Sequence, residues 1–128
     1  MQYEYFYGAQ AEQFSFYRIP KALFTEPNFR ELSTDAKVLY GILLDRMSLS
    51  LKNQWLDAQN KVYIIFTVEE IMDALNCANQ KATRLMVELE KQAGLIERKR
   101  QGLGRPNLIY VKNFAATINE KSCEKGDS

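Results

Sequence analysis

Hydrophobic and polar positions divide the chain into a short aromatic opening, one long apolar-striped helix, and a helix–helix–ribbon unit. In "EQFSFYRIPKALF", Phe14, Phe16 and Ile19 set up an alternation that predicts a short strand closed by Pro20. "KALF" continues it as one helical turn before "EPNFREL". Ser33 and Asp35 then supply helix-start chemistry, and Ala36, Leu39, Tyr40, Leu43 and Met47 recur at helical spacing. Val38, Ile42 and Leu44 widen that stripe, so this helix is covered on most sides and forms the centre of the core.

"NQWLDAQNKVYIIF" predicts a polar loop running into a short strand over 62–66. Thr67 and Glu70 make a capping box, in which the hydroxyl accepts from a free amide and the carboxylate reaches back. The helix they open ends at Asn76, a residue that tolerates left-handed backbone. After a break at "CA", a second helix is expected over 79–92, with Ala82, Leu85, Met86 and Leu89 as its buried stripe and Gly94 as its stop. Antiparallel strands near 95–100 and 107–113 follow, joined through "QGLGRP", where Gly102 and Gly104 permit positive φ and Pro106 needs no amide partner. Two helices, a tight turn and a two-stranded ribbon, in that order, are the layout of a winged helix-turn-helix. The expected fold class is therefore α+β, a winged helix-turn-helix with a C-terminal two-stranded β wing and an extra N-terminal strand. The expected organisation is an N-terminal arm over 1–12, the winged helix over 13–114, and a disordered tail or linker start over 115–128, where the apolar pattern is lost.

Length agrees, since 128 residues suffice for one domain with a real core. The chain is 46% hydrophobic and 26% charged, as in ordinary soluble proteins. No apolar run approaches the roughly 20 residues of a membrane span. The opening "MQYEYFYGAQAEQF" has no secretion-signal pattern, and two cysteines, Cys77 and Cys123, make no disulfide framework, so a cytoplasmic location is expected. Net charge changes the picture more. Residues 1–78 hold seven Lys/Arg against ten Asp/Glu, whereas residues 79–114 hold eight against three. A near-neutral protein with one cationic third points to a polyanion as partner for that third.

The outward face of the second helix of the pair presents Asn79, Gln80, Lys81, Thr83, Arg84 and Val87. Asn and Gln can pair bidentately with adenine, and Arg or Lys with guanine, so its N-terminal half suits a major groove. An ordinary solvated helix carries the same residue types, and both readings stand for this helix alone. The wing weighs further. Arg98, Lys99, Arg100 and Arg105 cluster at its tip, and cations that repel one another on a thin ribbon are explained by a phosphate backbone that neutralises them. Arg105 is placed to reach a minor groove.

Other chemistry is missing. The absence of histidine removes His-based acid–base catalysis, the Ser-His-Asp arrangement, His-containing zinc sites and nickases whose metal is held by histidines. "GLGRPN" lacks the third glycine of a dinucleotide fingerprint, and no phosphate-binding GxxxxGK[ST] loop occurs. Cys77 reads as a small buried hydrophobe. No catalytic residue, metal ligand or cofactor is expected. The aromatic cluster Tyr3, Tyr5, Phe6 and Tyr7 requires a covering surface, either a partner subunit or the chain's own core.

The phrases "YRIPKAL", "LSTDAKVLYGILLDRM" and "GRPNLIYV", with the helix pair between them, resemble the N-terminal domain of the replication initiator A (RepA) family of plasmids and mobile elements in Gram-positive bacteria, over residues 13–114. The resemblance implies sequence-specific binding of double-stranded DNA at repeated origin sites, commonly as a homodimer, with host replication proteins recruited through a separate C-terminal domain lying beyond this chain. It assigns Asn79, Gln80, Lys81, Thr83 and Arg84 to the recognition helix, and Arg98, Lys99, Arg100 and Arg105 to the wing. One departure is Ala78, which stands where many helix-turn-helix proteins place a Ser or Thr cap. A winged-helix transcriptional regulator of MarR-like type and a winged helix used for protein docking are the alternatives.

Overall fold

The long central stripe forms as its spacing requires. In the computed structural model, which describes residues 2–8 and 14–115, helix α2 runs Thr34–Lys52. It is preceded by a single helical turn, α1, at Ala22–Thr25, and a 3₁₀ turn at Pro27–Phe29. Ser33 caps α2 with its side chain accepting from the Ala36 amide at 3.2 Å. Ala36, Leu39, Tyr40, Ile42 and Leu43 are buried, and with Leu23, Phe29, Ile71, Leu85, Leu89 and Ile109 they make one core. Tyr40 lies deep enough that burial pushes its phenol up to about 12. Its hydroxyl still donates to the Lys112 carbonyl at 2.9 Å. Phe114 packs against Phe29 and Tyr40, so the chain leaving the wing is fastened to the start of α2.

The helix pair follows the sequence expectation closely. Helix α3 spans Val68–Leu75 behind the complete Thr67/Glu70 capping box. Asn76 takes the left-handed conformation at φ 51°, and α4 spans Asn79–Val87 after a turn through Cys77 and Ala78. Arg46 of α2 holds Glu70 at 2.7 Å while lying over the Phe66 ring, which joins α2 to the start of α3. Cys77 is half-buried against the core, as expected of a small hydrophobe. Cys123 and residues 116–128 of the expected tail lie outside the described residues.

The wing strands are β1, Ile96–Lys99, and β2, Leu108–Val111, antiparallel with Arg98 opposite Ile109. With α3 and α4 before them they complete a winged helix-turn-helix. Two expected strands do not form. Residues 62–66 contribute isolated bridges, Leu56 to Val62 and Ile64 to Ile109, so the segment adds one rung beside β2. The extra N-terminal strand over 14–19 is absent. That stretch runs along α2, where Ile19 and the Arg18 carbonyl come within about 3 Å of the place a Gly41 Cβ would occupy. A helix offers no free backbone ladder, so the aromatic alternation finds no strand partner. Gly41 is the residue that lets the segment approach this closely. Among the described residues no helix is long and apolar enough to cross a membrane.

Beyond Val87 the second helix continues as a π turn, Glu88–Gln92. Two carboxylates in this turn serve opposite sides of it. Glu88 is 7% exposed and accepts from both the amide and the hydroxyl of Ser33, each at 2.9 Å. Glu90 accepts from the Arg98 amide at 3.1 Å and from its guanidinium at 2.7 and 3.0 Å. Burial pushes the Glu90 carboxyl up, but the Arg98 hydrogen bonds and charge outweigh it and hold the group below its usual range.

Each carboxylate generates an expectation. Glu88→Ala leaves the Ser33 amide and hydroxyl without their acceptor, and the chain should lose about 1–3 kcal/mol in chemical denaturation. A loss within error of zero would mean water replaces the carboxylate freely. Glu90 has a depressed folded-state pKa, so its contribution is complete above the ordinary value of 4.5 and is lost as pH falls through the lower folded value. The thermal midpoint should therefore drop on acidification below about pH 4.5, with Glu90→Gln removing part of that drop. Parallel midpoint–pH curves for variant and wild type would contradict the clamp.

Candidate nucleic-acid interface

Alternation of buried and free positions on α4 sorts its side chains cleanly. Ala82, Leu85 and Met86 face the core, and Leu89 continues their stripe into the π turn. Asn79, Gln80, Thr83, Arg84 and Val87 are exposed, at spacings that put them on a single helix face. Lys81 stands at the margin of that face, its ammonium 2.6 Å from the Asp35 carboxylate on α2. It is tethered to its own protein, and exposed pairs of this kind exchange readily with other anions because they contribute little. Thr83 makes a long contact of 3.5 Å to Asn79, one turn earlier on the same face. Ala78 caps α4 without a side-chain hydrogen bond, and neither Cys77 nor Asn79 takes over. The first amides of α4 are consequently free to meet an acceptor brought from outside.

On the wing, the predicted cations split into two groups. Arg98 is only 25% exposed and is held by Glu90, so it fixes β1 against the end of the second helix. Lys99, Arg100 and Arg105 are exposed and, among the described residues, have no carboxylate within ion-pair distance; the same is true of Arg84. Of the three acidic residues in this region, Glu88 and Glu90 are committed to internal partners, and Glu97 is exposed on β1 without an ion pair. The cations outnumber the carboxylates left free among them. The turn between the strands is closed by the Arg105 amide donating to the Gly102 carbonyl at 3.3 Å and by Gln101 Nε2 donating to the Pro106 carbonyl at 2.8 Å. One prominent residue escaped sequence reasoning, namely Leu103 at the tip, 95% exposed. Its only signal is the pattern Gly-Leu-Gly within a polar turn.

The other side of the ribbon is fastened to the loop before it. Tyr110 donates to Asp57 at 2.9 Å, and the Asp57 carboxylate also accepts from the Gln59 and Lys61 amides. These bonds, the one from the Lys61 backbone foremost, hold Asp57 below the usual carboxylate range. The bond to Asp57 raises the Tyr110 phenol. The ribbon is thus braced by Glu90 on β1 and by Asp57 on β2, leaving the tip to project. Among the described residues no group of three His, Cys, Asp or Glu side chains is arranged to hold a metal.

Known proteins share this fold. Two solved structures, one described as the N-terminal domain of a DNA binding protein and one as a Rep–DNA complex, are each 36% identical to this chain with a TM-score of 0.72. They cover 99% and 98% of this chain, and 98% of their own chains in both cases. A third, described as an MDR initiator, is 38% identical over 93% of this chain with a TM-score of 0.67. A 41 kDa protein of Lactobacillus helveticus is 32% identical over 103 residues, and the matched part is 80% of this chain but 28% of that protein's length. The family model for the N-terminus of replication initiator protein A (RepA) matches residues 15–125, so the helix pair, its π turn and the braced wing all lie within the match, and the chain belongs to that family.

Proposed function

We propose that this chain is the part of a plasmid or mobile-element replication initiator that recognises double-stranded DNA at repeated origin sites. The observation that carries the reading is the cationic balance of residues 79–114, eight Lys/Arg against three Asp/Glu, in which Arg84, Lys99, Arg100 and Arg105 are exposed and unpaired on the helix pair and the wing while Glu88 and Glu90 are held by Ser33 and Arg98. Gathering cations with few anions among them is costly for a lone protein and favourable beside a phosphate backbone. The likeness to a solved chain described as a Rep–DNA complex supports it. Residues 13–114 are the binding unit in this reading. Asn79, Gln80, Thr83 and Arg84 read base edges in the major groove, Lys81 exchanges Asp35 for DNA, and Lys99, Arg100 and Arg105 neutralise phosphates. Arg98 acts by holding the wing in place. The role is binding without catalysis, and it fits a cytoplasmic protein.

Repeated sites suit a homodimer, and the exposed aromatics Tyr5, Phe6, Phe14, Phe16 and Tyr17 supply apolar surface for a second copy. Recruitment of host replication proteins belongs to a C-terminal domain of the longer initiator.

The division of roles is testable by titrating variants against specific and random duplex at several salt concentrations. Arg84→Ala should cost about 1–3 kcal/mol on the specific site and relax base preference. Lys99→Ala should weaken both duplexes alike and make the salt slope shallower by about one. Equal losses on both duplexes for Arg84→Ala would refute base reading by α4. An acidic protein partner in place of DNA would show as no duplex binding even at low salt.

A further inference from the structure

Leu103 is 95% exposed at the tip of a ribbon whose other tip residues are polar, glycine or proline. An apex exposed to water is ordinarily Asn, Asp, Ser or Gly, which hydrogen-bond locally or accept the backbone geometry. Here the glycines do that work on either side. Gly102 at φ 119° and Gly104 at φ 78° take the positive-φ positions, and a Cβ at either would touch nothing within 4 Å. They are glycine for backbone conformation, and they leave a thin tip with one side chain standing from it. Closure by Gln101 and Arg105 holds that side chain outward. Lys99, Arg100 and Arg105 lie within four residues of it along the chain, exposed and without an ion pair among the described residues.

We propose that Leu103 is a DNA-binding residue, inserted in the minor groove beside the site read by α4. The proposal rests on the duplex-binding reading given above. A minor groove offers what this tip lacks: phosphate walls for the flanking cations, and between them an apolar lining of sugar rings. The groove is about 6 Å wide in B-DNA, which admits a tip with no side chain on either neighbour of the leucine. A leucine donates and accepts nothing, so it discriminates by shape. The guanine amino group protrudes from the floor at G·C pairs and is missing at A·T pairs, so Leu103 favours an A·T flank. Apolar side chains are used in this groove by proteins of other folds.

The test compares wild type, Leu103→Ala, Leu103→Met and Arg105→Ala on the duplex that wild type binds. Each is also measured after inosine replaces guanine at flanking positions, a change that removes only the minor-groove amino group. Leu103 buries nothing in the protein, so Leu103→Ala should keep the wild-type thermal midpoint. It should bind roughly 3- to 10-fold more weakly, keep the salt slope, and lose the gain that wild type shows with inosine. Leu103→Met should retain most of both. Arg105→Ala should instead make the salt slope shallower. Wild-type affinity and flank preference in Leu103→Ala would overturn the assignment while leaving duplex binding intact. Equal loss on A·T and G·C flanks would overturn the placement on the groove floor. Failure of wild type to bind any duplex would overturn the underlying reading and this inference together.

Discussion

Two carboxylates in one π turn fix the relation between the three parts of this domain. Glu88 and Glu90 are two residues apart, and side chains at that separation on a helix do not face the same neighbour. Glu88 turns to the cap of α2, while Glu90 turns to β1. The end of the second helix is therefore tied at once to the central helix and to the wing. Remove either tie and the exposed face of α4 and the cationic tip lose one of the contacts that set their relative geometry, beside the shared core and the Asp57 brace. A binding surface built from two separate elements needs that geometry fixed beforehand, since ordering it on contact would subtract from affinity.

The same ties decide which charges are available. Ion pairs absorb Lys81, Arg98 and Arg46, and Glu88 and Glu90 are turned to internal partners. What remains exposed and unpaired on α4 and the wing is a positive set, Arg84, Lys99, Arg100 and Arg105, with Glu97 as the carboxylate among them. Its charge is not conspicuous in a chain with a net charge of +1, because the acidic residues lie mostly in the first two thirds. The arrangement gives a local field where a polyanion would be met, without the solubility and stability effects of a large overall charge.

Much of this was legible in the sequence because the signals are local. The capping box at Thr67 and Glu70, the left-handed stop at Asn76, the buried stripe of α4 and the glycine–proline turn of the wing each depend on residues close in the chain. The exposed face of α4 followed from the same periodicity. What was not legible depends on tertiary contact. The alternation at Phe14 and Phe16 resembles a strand, yet its neighbour is a helix, a fact that only Gly41 hints at. The pairing of Lys81 with Asp35 joins residues on different helices. Charge alone groups Arg98 with its neighbours, and its tie to Glu90 depends on a π turn that no short motif announces. The exposure of Leu103 is visible only once the tip is closed. The aromatic residues of the arm remain exposed, Tyr5 at 81%, and Phe6 packs edge-on against Phe14.

The central claim is that Lys99, Arg100 and Arg105 meet the phosphate backbone of a duplex whose bases α4 reads. Its most direct test is the affinity of the wild-type chain for duplexes tiled from its own gene and flanking DNA, measured by fluorescence anisotropy across a salt series. Three phosphate contacts per chain predict a slope of log affinity against log salt of about −3, with one repeated segment bound at least about a thousandfold better than random duplex. Uniform affinity for every segment would contradict base reading by α4, and a slope near zero would contradict the phosphate contacts themselves.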